Sequence, residues 1–292
     1  MSTLTAAQGD QLVAVFSRWR PQQQVFSQPD LQAFVKYLRT EVKPDWPASI
    51  ANIISTLDRH GALGAVTIPS EGDYRAFHRY ITPSATMFDV AARLRPNGYF
   101  SHATAVFAHG LTEQIPQTIY LNDEQSAKPA PSGNITQASL DRAFASRQRT
   151  SKFAFVFGLN RIVILNGKQT GALGVRSLKL SGAEHPVTDL ERTLIDIAVR
   201  PVYGGGVHEI LAAYRAALDR VDVARIVEYL TTLDYVYPYH QAIGFYLERA
   251  GASPDWTALL RELGLSLDFH LVHGLKKSRL DTSWRVRVPD GL

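Results

Sequence analysis

Residues 45–69 read DWPASIANIISTLDRHGALGAVTIP. Ile50, Ile53, Ile54 and Leu57 recur three and four positions apart, which lines up one face of a helix, and His60-Gly61 stops it. Asp45 is placed to cap this helix and Pro47 falls in its first turn, so the pattern predicts a helix over 46–60. The run GAVTIP at 64–69 then has the composition of a strand.

Upstream, residues 6–19 carry Leu12, Val15, Phe16 and Trp19 at helical spacing, closed by Arg20-Pro21. Ser27-Gln28-Pro29-Asp30 opens a second helix, with Ser27 as cap, Pro29 in the first turn and Leu31, Phe34, Val35 and Leu38 turned inward. Residues 39–44 are expected to link it to the third helix. Downstream, the turn-forming cluster Ser70-Glu71-Gly72-Asp73 leads to a second strand over 74–81. Three helices followed by a hairpin is the order of a winged helix-turn-helix.

The expected class is therefore α+β: a winged helix-turn-helix domain over 1–82, a linking helix within 83–98, and a larger mixed α+β domain over 99–292. In that larger part the pattern predicts a helix over 99–111, a strand over 118–121 and a Pro-rich loop over 128–133. A hairpin of 153–157 and 161–165 follows, then four or five helices between 189 and 263, and closing strands over 267–273 and 284–288.

Composition narrows the chemistry. The absence of cysteine excludes a disulfide framework, a thiolate zinc site and a cysteine nucleophile, and suits a reducing compartment. The first residues lack a basic and apolar leader pattern, and no stretch is apolar enough to span a bilayer, so a cytoplasmic protein without membrane partner is expected. The net charge of +4 hides an asymmetry: residues 140–181 carry +7 and residues 182–272 carry −6. Such segregation favours a polyanionic partner, although scattered solvated charges explain it as well.

In a helix-turn-helix the second helix of the pair presents polar side chains to base edges. Opposite the isoleucines stand Ser49, Asn52, Thr56 and Arg59, residue types that bond adenine, guanine or phosphate. Lys36, Arg39 and Lys43 lie where a phosphate grip is needed, and Arg75, His78 and Arg79 lie in the wing. The alternative is that all ten are the solvated faces of a small helical domain. The basic residues Arg142, Arg147, Arg149, Lys152, Arg161, Lys168, Arg176 and Lys179 suit a second backbone contact, an acidic partner or a solvated rim.

Catalysis finds less support. No HExxH spacing occurs among the nine histidines, and Gly167-Lys-Gln-Thr170 lacks the upstream glycine of a phosphate loop. Gly204-Gly-Gly206 reads as a loop entering a helix. Asp189, Glu191 and Asp196 could hold a metal for nuclease chemistry, but Arg192 and Arg200 are there to pair with them. No cofactor is expected. The competing classes are thus a metal-dependent nuclease and a non-catalytic interaction module.

Several segments together resemble the AbiEi-type antitoxins, transcriptional regulators of abortive-infection toxin–antitoxin pairs. They are Tyr99-Phe-Ser-His-Ala103, Ala108-His-Gly-Leu111 with Pro116, Val187-Thr-Asp-Leu-Glu-Arg-Thr-Leu-Ile-Asp196, Arg200-Pro-Val-Tyr-Gly-Gly205 and Gly244-Phe-Tyr-Leu-Glu248. The resemblance runs over essentially the whole chain. It implies a non-enzymatic autorepressor whose winged helix binds an inverted-repeat operator in its own promoter. It further implies a C-terminal domain that counteracts a nucleotidyltransferase toxin, usually without a stable complex. Basic residues of the winged helix carry the DNA contacts in that family, and Arg39, Lys43, Arg59, Arg75 and Arg79 occupy comparable stretches here. The wing and the link between helices are longer here than in a minimal domain of that kind.

Overall fold

The computed structural model describes residues 4–46, 49–127 and 135–292. Pro47 and the expected loop at 128–133 lie outside these residues. In chain order the elements are α1 (Ala6–Trp19), β1 (Val25–Phe26), α2 (Gln28–Tyr37), α3 (Ile50–Arg59), β2 (Gly64–Ile68), β3 (Phe77–Ile81), α4 (Met87–Ala92), β4 (Tyr99–Phe100), α5 (His102–Ala108) and β5 (Thr118–Glu124). There follow α6 (Gln137–Phe144), β6 (Ala154–Phe157), β7 (Asn160–Gly167), β8 (Val175–Leu180), β9 (Ala183–Thr188), α7 (Leu190–Val199), α8 (Val207–Ala217), α9 (Val223–Leu233), α10 (Tyr239–Ala250), α11 (Pro254–Arg261), β10 (Phe269–His270), β11 (Ser278–Asp281) and β12 (Val286–Pro289). The class is mixed α+β, and no described helix is long and apolar enough to cross a membrane.

The chain forms two compact units, one of residues 1–96, 153–162 and 181–183, the other of residues 97–152, 163–180 and 184–292. In the first, local signals set the helix ends. Thr5 and Gln8 form a reciprocal capping box at α1, and Ser27 with Asp30 forms another at α2. Leu12 and Phe16 of α1, Leu31 and Phe34 of α2 and Ile53 and Leu57 of α3 meet in one core with Phe26. Phe16 packs edge-on against Phe34 with ring centroids 5.1 Å apart. The strands form an antiparallel sheet in the order β1-β3-β2, with Val25 opposite Ile81 and Ala65 opposite Tyr80.

Three local expectations are corrected. The residues after α2 do not run as a plain link: Leu38–Val42 make a π-helical turn, closed by Lys43 in the left-handed region (φ 50°), whose N–H donates to the Leu38 carbonyl at 2.7 Å. The third helix starts at Ile50 rather than 46, and Ser49 rather than Asp45 is its cap, its hydroxyl accepting from the Asn52 N–H at 3.3 Å. The strand expected over 74–81 is shorter, because pairing begins only at Phe77. Also in this unit, Phe155 bridges Ser70, its ring lies 4.9 Å from that of Phe77, and Arg161 grips Glu71 at 2.7 Å.

The second unit is built around α7. Nine consecutive residues of this helix, Leu190 to Ala198, are buried, which marks a helix enclosed on all sides rather than a surface amphipath. Helices α5, α8, α9 and α10 pack on it. Its sheet runs β7-β5-β4-β9-β8, with β4 antiparallel to β5 and parallel to β9 through Phe100 and Val187. The helix expected over 99–111 is therefore split: Tyr99 and Phe100 are drawn into the sheet, and the helix begins at His102. The closing strands form a separate sheet, β10-β12-β11. Trp284 beside it is fully buried against Gly244 of α10, where an added Cβ would lie 2.2 Å from the indole ring. Its Nε1 donates to Glu248 one turn further along α10.

Candidate nucleic-acid interface

Helix α3 has one apolar side, and its other side decides what it could read. Ile53 and Leu57 are fully buried, while Ala51, Ser55, Asp58 and Arg59 are exposed and Asn52 is half-buried. Thr56 does not belong to the exposed face as expected. Three residues beyond Ile53 is a rotation of about 300°, which returns Thr56 to within about 60° of the core side. It is 1 % exposed, and its hydroxyl accepts from Arg59 Nη2 at 3.1 Å. Ser49 is spent on the helix cap. The polar groups that α3 offers outward are therefore Asn52, Ser55 and Arg59, with Asp58 adding one negative charge.

Arg59 also donates through Nε to the Ser55 carbonyl at 3.3 Å, so its guanidinium lies back along its own helix. Lys36 on the last turn of α2, Arg39 in the π-helical turn and Lys43 at its end are all exposed. The left-handed backbone at Lys43 turns the chain immediately after this trio.

The hairpin expected to act as a wing is less available than its composition suggests. Arg79 donates from Nε and Nη2 to the Arg93 carbonyl at 3.2 and 2.9 Å, and from Nη1 to the His78 carbonyl at 2.8 Å. Burial lowers its pKa from the ordinary arginine value. His78 Nδ1 lies 3.1 Å from the Thr67 hydroxyl on the neighbouring strand. Arg75 remains exposed in the segment before β3. Nothing in the sequence near Arg79 marks Arg93 as its acceptor, since fourteen positions separate them.

The acidic trio is dispersed by function. Asp189 caps α7, accepting from the Arg192 N–H at 2.9 Å and from the Tyr229 hydroxyl at 2.7 Å. Glu191 accepts from the Asp222 N–H at 2.9 Å and from Arg225 at 3.4 Å. Asp196 pairs with Arg192 at 2.8 Å, both side chains buried. Arg192 is thus the partner expected, whereas Arg200 pairs with none of the three, and Arg225 and Tyr229 take parts that spacing gave no hint of. Among the described residues no group of three histidine, aspartate or glutamate side chains is placed to hold a metal ion.

No family model matches the chain, and no curated protein matches it either. Among solved structures it is similar to the crystal structure of the RV2827C protein from Mycobacterium tuberculosis, with a TM-score of 0.58. That likeness spans 98 % of this chain and 92 % of the other at 15 % identity. It is a likeness of fold.

Proposed function

We propose that this chain is a DNA-binding transcriptional repressor acting as the antitoxin of a toxin–antitoxin pair, with α1, β1, α2, α3, β2 and β3 as its winged helix-turn-helix. The observation that carries the reading is the interleaving of these elements. Three helices share one core, and β1, inserted between the first two, pairs on the outer edge of a hairpin to give the order β1-β3-β2. Helix α3 is then the element offered to the major groove, with Asn52 and Arg59, seven positions apart, on one side of it. Residues 38–49 between α2 and α3 are more than the three or four of a minimal helix-turn-helix, and they carry Arg39 and Lys43.

Recognition of an inverted repeat in its own promoter, and a functional link to a nucleotidyltransferase toxin, rest on the resemblance set out above. In this reading the second unit has a regulatory and not a catalytic role. Asp189, Glu191 and Asp196 hold a helix end, a loop N–H and an arginine respectively, which is the work of a scaffold.

Titrating the full chain onto a duplex of its own promoter, followed by fluorescence anisotropy, tests the reading. With Lys36, Arg39, Lys43 and Arg75 as phosphate contacts, log affinity falls with log salt at a slope of about −3 to −4. A salt-independent affinity, or equal affinity for a scrambled duplex, refutes it.

A further inference from the structure

Two features of the second unit are not used by the proposed DNA reading: Arg149 and Lys168 of the basic run, and the Arg200-Pro-Val-Tyr segment after α7. They meet around a single pocket of about 260 Å³. That volume is near the lower limit of the roughly 300–1,000 Å³ typical of small-molecule sites. Its floor is buried and rigid: Asp196 and Arg192 hold each other at 2.8 Å, and Arg192 also donates to the Leu173 carbonyl at 3.0 Å. Asn122, also buried, is pinned by its amide nitrogen to the Tyr99 hydroxyl. Beside it passes Gly167, where a Cβ would come within 2.4 Å of the Asn122 amide, so the backbone of the pocket wall lies directly on that side chain.

The electrostatics of the pocket are one-sided. Arg192 is neutralised by Asp196, which leaves Arg149, Lys168 and Arg200 without a carboxylate partner among the described residues. Lys168 is held in place by the carbonyls of Leu233 and Asp234, and its ammonium lies 5.8 Å from the centre of the Tyr235 ring. Those carbonyls orient the ammonium without cancelling its charge. Arg149 and Arg200 are exposed at the rim. His102, in the left-handed region at φ 53°, is buried in the lining, and burial brings its pKa down to about 4. It contributes no charge at neutral pH and can exchange hydrogen bonds with a ligand. A concavity carrying three cations that no described carboxylate pairs concentrates anions, and arginine's planar fork matches phosphate oxygens in pairs.

We propose that this pocket binds a small phosphate-bearing ligand of up to mononucleotide size, with the phosphate between Arg149, Lys168 and Arg200 and the remainder against the Tyr235 ring. The site would give the second unit a small-molecule input of its own. It stands whether or not the first unit binds DNA.

The test is calorimetric titration of the full-length protein with inorganic phosphate, adenosine 5′-monophosphate, adenosine and, at matched ionic strength, sulfate. Binding of the monophosphate, with adenosine silent and sulfate weaker, is the expected result. Arg149→Gln and Arg200→Gln, both on exposed side chains, each weaken it about tenfold, as loss of a charge-assisted contact does. Circular dichroism checks that the variants are folded, and suppression of wild-type binding by added salt gives a second readout that needs no variant. No binding of phosphate or monophosphate at millimolar concentration overturns the proposal. So does binding that both variants keep, which places the site elsewhere, or equal binding of sulfate and monophosphate, which marks a mere anion sink.

Discussion

The two units use the same residue types in opposite ways. In the first, charged groups lie outward of a continuous apolar core made by three helices and Phe26, and the polar residues near that core mostly cap helices or bond nearby backbone. In the second, Glu191, Arg192 and Asp196 are buried within the central helix itself and satisfied by groups from α9, from the loop before it and from each other. Lys36, Lys43 and Arg75 of the first unit are therefore exposed to solvent, whereas Arg192 and Asp196 of α7 are part of the packing. What this teaches is that an acidic cluster close in sequence is not a site until its partners are known. Once buried, each of these carboxylates is committed to a hydrogen-bond network that the fold requires.

The strongest way to break this contrast is to remove one member of the buried pair. Asp196→Ala strands the Arg192 guanidinium in the interior, and breaking a buried pair in this way costs about 3–5 kcal/mol. Urea unfolding is expected to give an unfolding free energy lowered by that amount, and on the proposed reading the DNA affinity of the surviving folded protein is unchanged. A variant as stable as the wild type would place Asp196 in the same category as a surface acid.

Acid sharpens the comparison next. The pKa of His102 in the folded chain is about 4, against an ordinary 6.5, because burial disfavours its charged form, with Asp196 raising it and Arg200 and Arg192 lowering it. Its proton is taken up first by the unfolded chain, so its contribution is complete above about pH 6.5 and is lost as pH falls towards 4. The loss is of order 3 kcal/mol over that window. His109, His240 and His273, likewise lowered by burial, act in the same direction. Unfolding free energy measured across this range falls less steeply in His102→Asn, asparagine being tolerant of the left-handed backbone there. An identical slope in the two proteins would remove His102 from the account.

The smallest stability effect is expected on α3, where the contrast predicts function without structure. Arg59→Ala removes an exposed side chain and its hydrogen bonds to the Thr56 hydroxyl and the Ser55 carbonyl, at a cost of about 1 kcal/mol in stability. On the proposed reading Arg59→Ala and Asn52→Ala each lose roughly 1–3 kcal/mol of discrimination between operator and scrambled duplex. Lys36→Ala weakens both duplexes alike, since a phosphate contact carries no sequence information. Anisotropy with the two duplexes separates these outcomes. If Asn52→Ala and Arg59→Ala bind the operator as the wild type does, α3 is not the reader.

Much of the architecture was legible in the chain. Helix α1 has the expected bounds, Ser27 caps α2, the hairpin of β6 and β7 turns at Gly158, and five α-helices follow Asp189. The pair β8 and β9 is not legible in the sequence, because β8 alternates weakly and exposes half of its side chains. The signal that could have found it is Ser181-Gly182, a turn dipeptide that adopts positive φ at both positions. Of the residues expected to face DNA, Lys36, Arg39, Lys43, Arg59, Arg75 and His78 are exposed, whereas Thr56 is buried, Ser49 is a cap and Arg79 is tied to the Arg93 carbonyl.

What the sequence determined by itself is therefore local: where helices start and stop, and which face turns inward. Caps and apolar periodicity act over three or four residues and are complete within a short window. The tertiary structure alone decided three other things. It drew Tyr99 and Phe100 out of a helix by pairing Phe100 with Val187; it gave Glu191 its partners at Asp222 and Arg225; and it gathered Arg149, Lys168 and Arg200 around one cavity. Each joins positions tens of residues apart. Desolvated charges and strand edges take whatever partner the packed chain brings within hydrogen-bond range, and that proximity is not encoded near either residue.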